Sequence, residues 1–257
     1  MLDDLYAGAV ADAAARRESS PFASVEAAAL ARVPALDVRA ALSPAAQVKI
    51  IAEVKRASPS RGDLSAIADP ASLAVSYASG GASAISVLTE GRKFKGTLAD
   101  LEAVRAAVDV PVLRKDFIAD PYQVFEARAA GADLVLLIVA GLEQNRLVEL
   151  HDLVRQLGMT ALIETHSADE VSRAVDAGAT VLGVNARDLV TFDLDRDLFG
   201  RLSASIPPGI VRVAESAVSS PDDVAHYRRS GADVVLVGEA LVTHGDPAVA
   251  ITRFLEV

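Results

Sequence analysis

Opposite charges lie inside short apolar runs of this chain, where a buried strand would normally exclude them. In the run IIAEVK, Glu53 and Lys55 are two positions apart and therefore point to the same side of a strand. Lys115, Glu164 and Glu215 end three further apolar runs, VLRK, ALIE and VRVAE respectively. Partly desolvated lysines beside carboxylates can donate or accept protons, with pKa values set by their neighbours. The five side chains therefore indicate an acid–base site, with mutually neutralising structural ion pairs as the alternative.

A pattern of glycine, alanine and a short apolar run recurs along the chain and identifies elements that position these charges. It occurs as GGASAISVL, AGADLVLLI, AGATVLGVN and SGADVVLVG, at intervals of about 50 residues, with helical patterns and a further strand between successive copies. Nearly continuous apolar strands are predicted to begin near residues 49, 84, 111, 133, 160, 180, 210 and 233. Such strands alternating with helices are typical of parallel βαβ units.

Eight such strands in a chain of 257 residues predict an α/β fold, a (β/α)8 TIM barrel. An open, doubly wound sheet is the alternative, but it would favour a glycine-rich turn after the first strand, where this chain has EVKRASPS. Residues 1–48 contain two amphipathic helical patterns, separated by Pro21 and followed by Pro34, and are too alanine-rich for an independent core. We therefore expect an N-terminal helical extension at 1–48 and a single catalytic barrel domain at 49–257.

Barrels of this type place their active sites at the C-terminal ends of the strands. The charges lie at the ends of the first, third, fifth and seventh predicted strands, and alternate strands contribute side chains to shared layers inside a barrel. We therefore expect Glu53, Lys55, Lys115, Glu164 and Glu215 to meet at one mouth.

Polar residues after the later strands predict groups that bind an anionic ligand. Asn185 and Arg187 can hydrogen-bond a carboxylate, although pairing of Arg187 with Asp188 or with a surface helix is the alternative. Ser220 before Pro221 is typical of a helix N-terminus, and in VGEAL a glycine leads into another helix. Backbone N–H groups at these two places predict a phosphate site.

The composition limits the classes of partner and site. The net charge is −10 and no Lys/Arg run exceeds two residues, which argues against nucleic acid or a membrane as partner. Cysteine is absent, which excludes thiolate chemistry, and MLDDLYAGAV has no signal-peptide pattern, so a cytoplasmic protein is expected. No spacing resembles a metal cluster. His166 is expected to be a loop histidine with local partners, with a position facing the mouth as the alternative.

The motifs IIAEVKRASPSRG, VLRKDFI, LIETH, GVNARDL, VAES and VGEALV resemble those of the indole-3-glycerol-phosphate synthase family over essentially the whole chain. The resemblance implies a (β/α)8 barrel with an extra N-terminal segment. It also implies ring closure of 1-(2-carboxyphenylamino)-1-deoxyribulose 5-phosphate with loss of carbon dioxide and water, in tryptophan biosynthesis, without cofactor or metal. We expect this small phosphorylated molecule as the binding partner of a monomer, with a weak homodimer as the alternative.

The resemblance also implies roles for individual residues. Lys115 matches the general acid of ring closure, and Glu53 with Lys55 matches residues of the later dehydration. Glu164 matches a carboxylate that assists proton transfer and steadies positive charge on the anilino nitrogen, and Asn185 and Glu215 complete the implied catalytic set. The implied contacts to the rest of the substrate are Ser58, Phe117, Leu136, Arg187, Leu189 and Ser216, and the expected phosphate contacts are Lys55, Ala217, Gly238 and Glu239.

One triplet departs from the family's pattern. The family usually has glycine after Glu-Ser, whereas here Glu215 and Ser216 are followed by Ala217. If the backbone there is left-handed, alanine costs about 1–2 kcal/mol. We therefore expect Ala217→Gly to tighten binding of a phosphate-bearing ligand by about 1 kcal/mol, with little change in stability.

Two other functions compete with this one. Phosphoribosylanthranilate isomerase, a phosphate-binding barrel of related chemistry, would use a cysteine and an aspartate as its acid–base pair, and this chain has no cysteine. A barrel kept as a non-enzymatic binding module is the second, and the set Glu53, Lys55, Lys115 and Glu164 argues against it. A fluorescence assay for an indole product separates these possibilities.

Overall fold

The computed structural model describes residues 2–58, 62–64, 67–188, 191, 193–243 and 245–257. Within these ranges eight parallel strands close into a barrel, which confirms the predicted fold class. Each strand begins within one residue of its predicted start. The strands are β1 (Lys49–Val54), β2 (Ala84–Leu88), β3 (Val112–Lys115), β4 (Leu134–Ile138), β5 (Thr160–Thr165), β6 (Val181–Asn185), β7 (Val211–Glu215) and β8 (Val234–Val237).

Each barrel strand pairs with the next one along the chain, and β8 pairs with β1, with Lys49 opposite Val234. Every residue of β2, β4 and β6 is buried. Side chains of other strands cover the inner face and helices cover the outer face, which is why the strands are continuous apolar runs in the sequence.

Helices alternate with the strands and also precede β1. They are α1 (Leu2–Ser19), α2 (Phe22–Leu30), α3 (Val38–Leu42), α4 (Pro70–Ser79), α5 (Leu98–Ala107), α6 (Pro121–Ala130), α7 (Gln144–Gln156), α8 (Ala168–Asp176), α9 (Leu198–Ser203), α10 (Pro221–Arg229), α11 (Glu239–Thr243) and α12 (Pro247–Leu255). In the described part of the chain, no helix has the length and apolar content that a membrane crossing requires.

Side-chain caps fix where two of the helices begin. Ser220 and Asp223 form a capping box at the start of α10, with Pro221 in the first turn, as predicted for this helix. Asp37 caps α3 by accepting the N–H of Ala40 at 3.0 Å. This short helix is absent from the sequence-based prediction, because five residues are too few for a periodic pattern.

The two helices predicted for the N-terminal extension are present and pack on the barrel. The ring of Tyr6 on α1 meets Phe117, just after β3, edge to face, with centroids 5.7 Å apart. Arg16 Nε lies 2.5 Å from Glu126 Oε1 on α6, and the second pair of atoms is 2.8 Å apart. This bidentate pair and the aromatic contact hold α1 beside the C-terminal end of β3.

A buried ion network continues from α6 into β3. Arg114 has no exposed surface, and its guanidinium lies 2.9 Å from Asp116 and 3.5 Å from Glu126. Asp116 also accepts the backbone N–H of Phe117 at 2.9 Å. The network therefore fixes the backbone on both sides of Lys115.

Candidate active site

A cavity of about 960 Å³ opens at the C-terminal ends of the barrel strands. It brings together every predicted site residue that the structure describes, and Leu189 lies outside the described residues. The lining includes Glu53, Lys55, Ser58, Lys115, Phe117, Leu136, Glu164, Asn185, Arg187, Glu215, Ser216, Ala217, Gly238 and Glu239. The expectation that the charges meet at one mouth is therefore met.

Glu53 and Lys55 form an ion pair at the end of β1. Lys55 Nζ lies 2.7 Å from Oε1 of Glu53, and the other carboxylate oxygen accepts a hydrogen bond from Ser86 Oγ at 3.3 Å. Burial alone would raise the pKa of Glu53, but the charges of Lys55 and Lys115 outweigh it and hold that pKa below its usual range. The strand can bury the carboxylate because its partner lies two residues away.

Lys115 lies between two further carboxylates at the centre of the mouth. Its Nζ is 3.3 Å from Glu164 Oε2 and 3.5 Å from Glu215 Oε2. Gly183 on β6 makes room for the second of these, because a Cβ there would overlap the Glu215 carboxylate. Burial alone would lower the pKa of Lys115, but the surrounding carboxylates raise it above its ordinary value, so the amine is protonated at neutral pH.

The two carboxylates beside Lys115 have unlike surroundings. Glu164 Oε1 accepts from Asn185 Nδ2 at 3.2 Å and lies 3.4 Å from His166 Nε2. Although burial opposes them, Lys115 and His166 hold the pKa of Glu164 well below its usual range. The oxygens of Glu215 have no hydrogen-bond partner among the described residues. Burial and the charge of Glu164 raise the pKa of Glu215 despite the nearby Lys115, so at neutral pH the pair holds one proton, on Glu215.

Asn185 connects this charged centre to two loops. While its Nδ2 donates to Glu164, its Oδ1 accepts from Ser216 Oγ at 2.7 Å and from the backbone N–H of Arg187 at 3.0 Å. The Asn185 side chain therefore orients the Glu164 carboxylate and the first residues of the loops that follow β6 and β7.

The predicted phosphate end of the cavity has an unusual backbone. Ser216, with φ 69°, and Ala217, with φ 55°, are both left-handed, the conformation in which alanine is strained. Gly238 lies against the β1 ion pair: a Cβ there would be 2.7 Å from Glu53 Oε1 and 3.2 Å from Lys55 Nζ. Glycine at 238 therefore brings the backbone that precedes α11 close to the amine of Lys55.

Apolar side chains that the sequence analysis does not identify complete one wall of the cavity. Leu5, Phe94 and Ile138 line it together with the predicted Phe117 and Leu136. The rings of Phe94 and Phe117 lie 6.1 Å apart. Phe94 carries a signal in the sequence, as an aromatic residue in the glycine-flanked loop after β2. Leu5 carries none, because its position depends on how α1 packs.

Two histidines lie close to the site. His166 has the expected local partner, with Nδ1 3.2 Å from Glu170 Oε2, but its Nε2 also faces Glu164. His226 on α10 lines the cavity, with Nε2 3.2 Å from Asp197 Oδ1. Within the ranges that the structure covers, no three histidine or carboxylate side chains are grouped to hold a metal ion.

A family profile and several relatives more than half identical to this chain carry the same name. The family profile described as indole-3-glycerol phosphate synthase matches residues 2–254. A protein of that name from Leifsonia xyli subsp. xyli is 68% identical over 254 residues, which cover 99% of this chain and 97% of that protein. Others from Beutenbergia cavernae and Mycobacterium tuberculosis are 57% and 55% identical, each covering 98% of this chain and 93% and 92% of those proteins.

Solved structures share the barrel at low sequence identity. Thiamine phosphate pyrophosphorylase from Pyrococcus furiosus has a TM-score of 0.64 at 16% identity, covering 86% of this chain and 96% of that chain. A 3-hexulose-6-phosphate synthase has a TM-score of 0.63 at 17% identity, covering 81% and 99% respectively. At these identities the likeness shows the fold alone. The match over nearly the whole chain and the high identity to the named relatives show that this chain belongs to the indole-3-glycerol phosphate synthase family of carboxy-lyases.

Proposed function

We propose that this protein closes the indole ring of 1-(2-carboxyphenylamino)-1-deoxyribulose 5-phosphate and releases carbon dioxide and water, giving indole-3-glycerol phosphate for tryptophan biosynthesis. The position of Lys115 carries the proposal: its Nζ lies 3.3 Å and 3.5 Å from two carboxylates, in the same cavity as the wall that includes Phe117. A protonated amine beside an apolar wall suits a reaction in which a ketone is protonated while an aromatic ring packs nearby.

The two ends of the cavity suit the two ends of this substrate. The phosphate lies towards Lys55, with backbone N–H groups of Ala217, Gly238 and Glu239 as further donors. Glu239 serves through its backbone, because its carboxylate would repel a phosphate. The aromatic ring packs between the apolar side chains, and its carboxylate lies towards Arg187, where a guanidinium can bind it through two hydrogen bonds. Ser58, Asn185 and Ser216 supply polar contacts between these ends.

Ring closure requires an acid at the ketone oxygen. The ring carbon that bears the carboxylate forms a bond to the ketone carbon, and Lys115 donates a proton to the ketone oxygen. Glu164, held as an anion, steadies the positive charge that develops on the anilino nitrogen. The bond to the carboxylate carbon then breaks, carbon dioxide leaves, and the electron pair of that bond restores the aromatic ring.

Dehydration completes the indole. The new hydroxyl group leaves as water with a proton from the Glu53–Lys55 pair, and Glu164 removes a proton from the neighbouring carbon. Because an ionised carboxylate leaves as neutral carbon dioxide, each turnover takes up one proton from solution. A site that combines protonated amines with an ionised carboxylate can supply both kinds of proton transfer.

The experiment is a fluorescence assay for the indole product with Lys115→Met and a matched control. Loss of a positioned acid should lower turnover by about 10²–10⁴-fold. Lys49→Met is the control, because Lys49 lies at the opposite end of β1 and its Nζ donates to the carbonyl of Ala41 at 2.6 Å. A wild-type protein that forms no indole-3-glycerol phosphate would refute the proposed function. A Lys115→Met variant with more than half of wild-type turnover would refute the role of Lys115.

The other features expected from the sequence stay predictions. They are a division at residue 48 between the helical extension and one catalytic barrel domain, a cofactor-free reaction, a monomeric state and a cytoplasmic location. Sedimentation of the purified protein tests the monomer, and fractionation of the source cells tests the location.

A further inference from the structure

His166 contacts the charged centre through Glu164 without lining the cavity itself. It follows β5 directly, and its Nε2 lies 3.4 Å from Glu164 Oε1 while its Nδ1 lies 3.2 Å from Glu170 Oε2. The backbone N–H of His166 also donates to Glu170 Oε2 at 2.8 Å. Ser167, the N-cap of α8, accepts the N–H of Glu170 at 3.2 Å and so fixes that residue in the first helical turn. Both ring nitrogens therefore face carboxylate oxygens.

Only the doubly protonated ring can serve both carboxylates, because a neutral imidazole carries a single N–H. Burial alone would lower the pKa of His166, but Glu164 and Glu170 outweigh it and raise the pKa to about 10. The Nε2–Oε1 distance of 3.4 Å is long for a hydrogen bond, so the contact with Glu164 is mainly an ion pair. The side chain of His166 is 13% exposed, which limits screening of this pair by water and salt.

Charges on the neighbouring elements give the two carboxylates of the centre different partners. Lys115 of β3 contacts both Glu164 and Glu215. Of these two carboxylates, His166, which follows β5, and Asn185, which ends β6, contact Glu164 alone. The hydroxyl of Tyr6, from α1, is uncharged, since burial and the charge of Glu164 raise its pKa. The ion pairs from β1 to α8 join six residues whose charges balance when Glu215 is neutral. The cations are Lys55, Lys115 and His166, and the anions are Glu53, Glu164 and Glu170.

We propose that His166 is a positioning residue whose positive charge keeps Glu164 ionised and thereby leaves the single proton of the carboxylate pair on Glu215. Glu170 acts one step further away, by holding the second proton on the imidazole ring. The catalytic consequence rests on the proposed function, in which Glu164 must be an anion to steady the anilino nitrogen and to accept a proton. His166 is not among the residues that line the cavity, so it acts on the reaction through Glu164, which does line it.

Turnover measured against pH tests this role with two variants. His166→Gln keeps an N–H donor near Glu164 but removes the charge, and Glu170→Gln keeps the imidazole but removes the carboxylate that holds its second proton. In both, we expect the acidic limb of kcat to move towards neutral pH by at least about one unit, a tenfold rise in the proton affinity of Glu164, with KM nearly unchanged. Profiles of both variants that superimpose on the wild type would overturn the proposal.

His151→Gln is the matched control. His151 is also a buried histidine, on α7, and its Nδ1 lies 2.8 Å from the carbonyl oxygen of Ala177. Its replacement should lower stability without moving the acidic limb, so it separates loss of a buried histidine from loss of a charge beside Glu164. A shift of the limb in His151→Gln equal to that in His166→Gln would count against a specific role of His166.

Carboxyl ¹³C NMR of the free protein labelled at glutamate makes the test independent of turnover. Glu164→Gln and Glu215→Gln assign the two resonances. Glu164 should titrate at a higher pH in His166→Gln than in the wild type, and Glu170→Gln provides the same comparison should His166→Gln fail to fold. An unchanged Glu164 titration would refute the positioning role of His166 even if indole-3-glycerol phosphate is formed. A shifted titration in a protein that forms no indole-3-glycerol phosphate would refute only the proposed function.

Discussion

The left-handed backbone at Ala217 predicts that glycine at this position stabilises the fold. Ala217 has φ 55° and directly follows Ser216, at φ 69°. This conformation costs an alanine about 1–2 kcal/mol, and glycine adopts it without that strain. Glycine also gives the unfolded chain more freedom, which costs about 0.5–1 kcal/mol. The difference between these two effects is a rise in the free energy of unfolding of about 0–1.5 kcal/mol for Ala217→Gly, centred on about 0.8 kcal/mol.

The same geometry changes the expectation for ligand affinity. Tighter phosphate binding with unchanged stability, as expected from the sequence, requires the strain at Ala217 to arise when the ligand binds. Because φ is already 55° in the folded chain, the strain belongs to the fold, and a ligand that keeps this backbone neither adds to it nor relieves it. We therefore expect the Kd of a phosphate-bearing substrate analogue to change by less than about twofold.

Urea unfolding followed by far-UV circular dichroism measures the first effect, since the chain contains no tryptophan as a fluorescent probe. Ala204→Gly is the control: this exposed alanine at the end of α9 has φ −68°, so glycine there relieves no strain and should lower stability by about 0.5–1 kcal/mol. If Ala217→Gly loses as much stability as the control, Ala217 is not strained. If stability stays constant while the analogue binds about 1 kcal/mol more tightly, the strain arises on binding.

Three further predictions concern the site and its support. The folded chain raises the pKa of Glu215 and so binds its proton more tightly than the unfolded chain does. This contribution to stability is fully present below the unfolded pKa of about 4.3 and is lost as pH rises through the folded pKa. Glu215→Gln, which does not ionise, should therefore gain stability relative to the wild type between pH 5 and pH 9, and an equal difference in urea midpoint at both pH values would contradict this. Asp116→Ala should lower the free energy of unfolding by about 3–5 kcal/mol, because it removes a carboxylate 2.9 Å from the fully buried Arg114. A loss below about 1 kcal/mol in urea unfolding would show that Glu126 suffices as the partner of Arg114. Excess EDTA should leave indole formation unchanged, and a loss of activity that added metal restores would show that the reaction depends on a metal.

The strands and the charged centre were predictable because each leaves a strong local signal. A parallel strand covered on both faces is a continuous apolar run, so its start can be located to within a residue. A charge in such a run needs a nearby partner, which is why Glu53 with Lys55, and Lys115, could be assigned to the barrel mouth from the sequence.

The unequal protonation of Glu164 and Glu215 could not be predicted in the same way. Both lie at the C-terminal ends of odd-numbered strands after similar apolar runs, and the presence of His166 two residues after Glu164 does not by itself show that its ring turns towards that carboxylate. The difference comes from residues brought next to them by the fold: His166 and Asn185 beside the first, and the space left by Gly183 beside the second. Leu5 was missed for a related reason, because it reaches the cavity only when α1 packs against the barrel.

The packing of α1 has a consequence for the order of events during synthesis of the chain. Arg16 is made 110 residues before its partner Glu126, and Tyr6 is made 132 residues before Ile138, whose carbonyl oxygen accepts a hydrogen bond from the Tyr6 hydroxyl. At about 5–20 residues per second, α1 waits roughly 5–25 s on the ribosome before these partners exist. Its buried face combines Leu2, Leu5 and Tyr6 with Gly8, Ala9 and Ala13, so the apolar surface that it exposes while it waits is concentrated in its first turns. We expect proteolysis to cut α1 in nascent chains halted before residue 112 and to spare it once β3, α6 and β4 have left the ribosome. Equal cleavage of α1 in the shorter and the longer nascent chains would show that α1 does not pack until synthesis is complete.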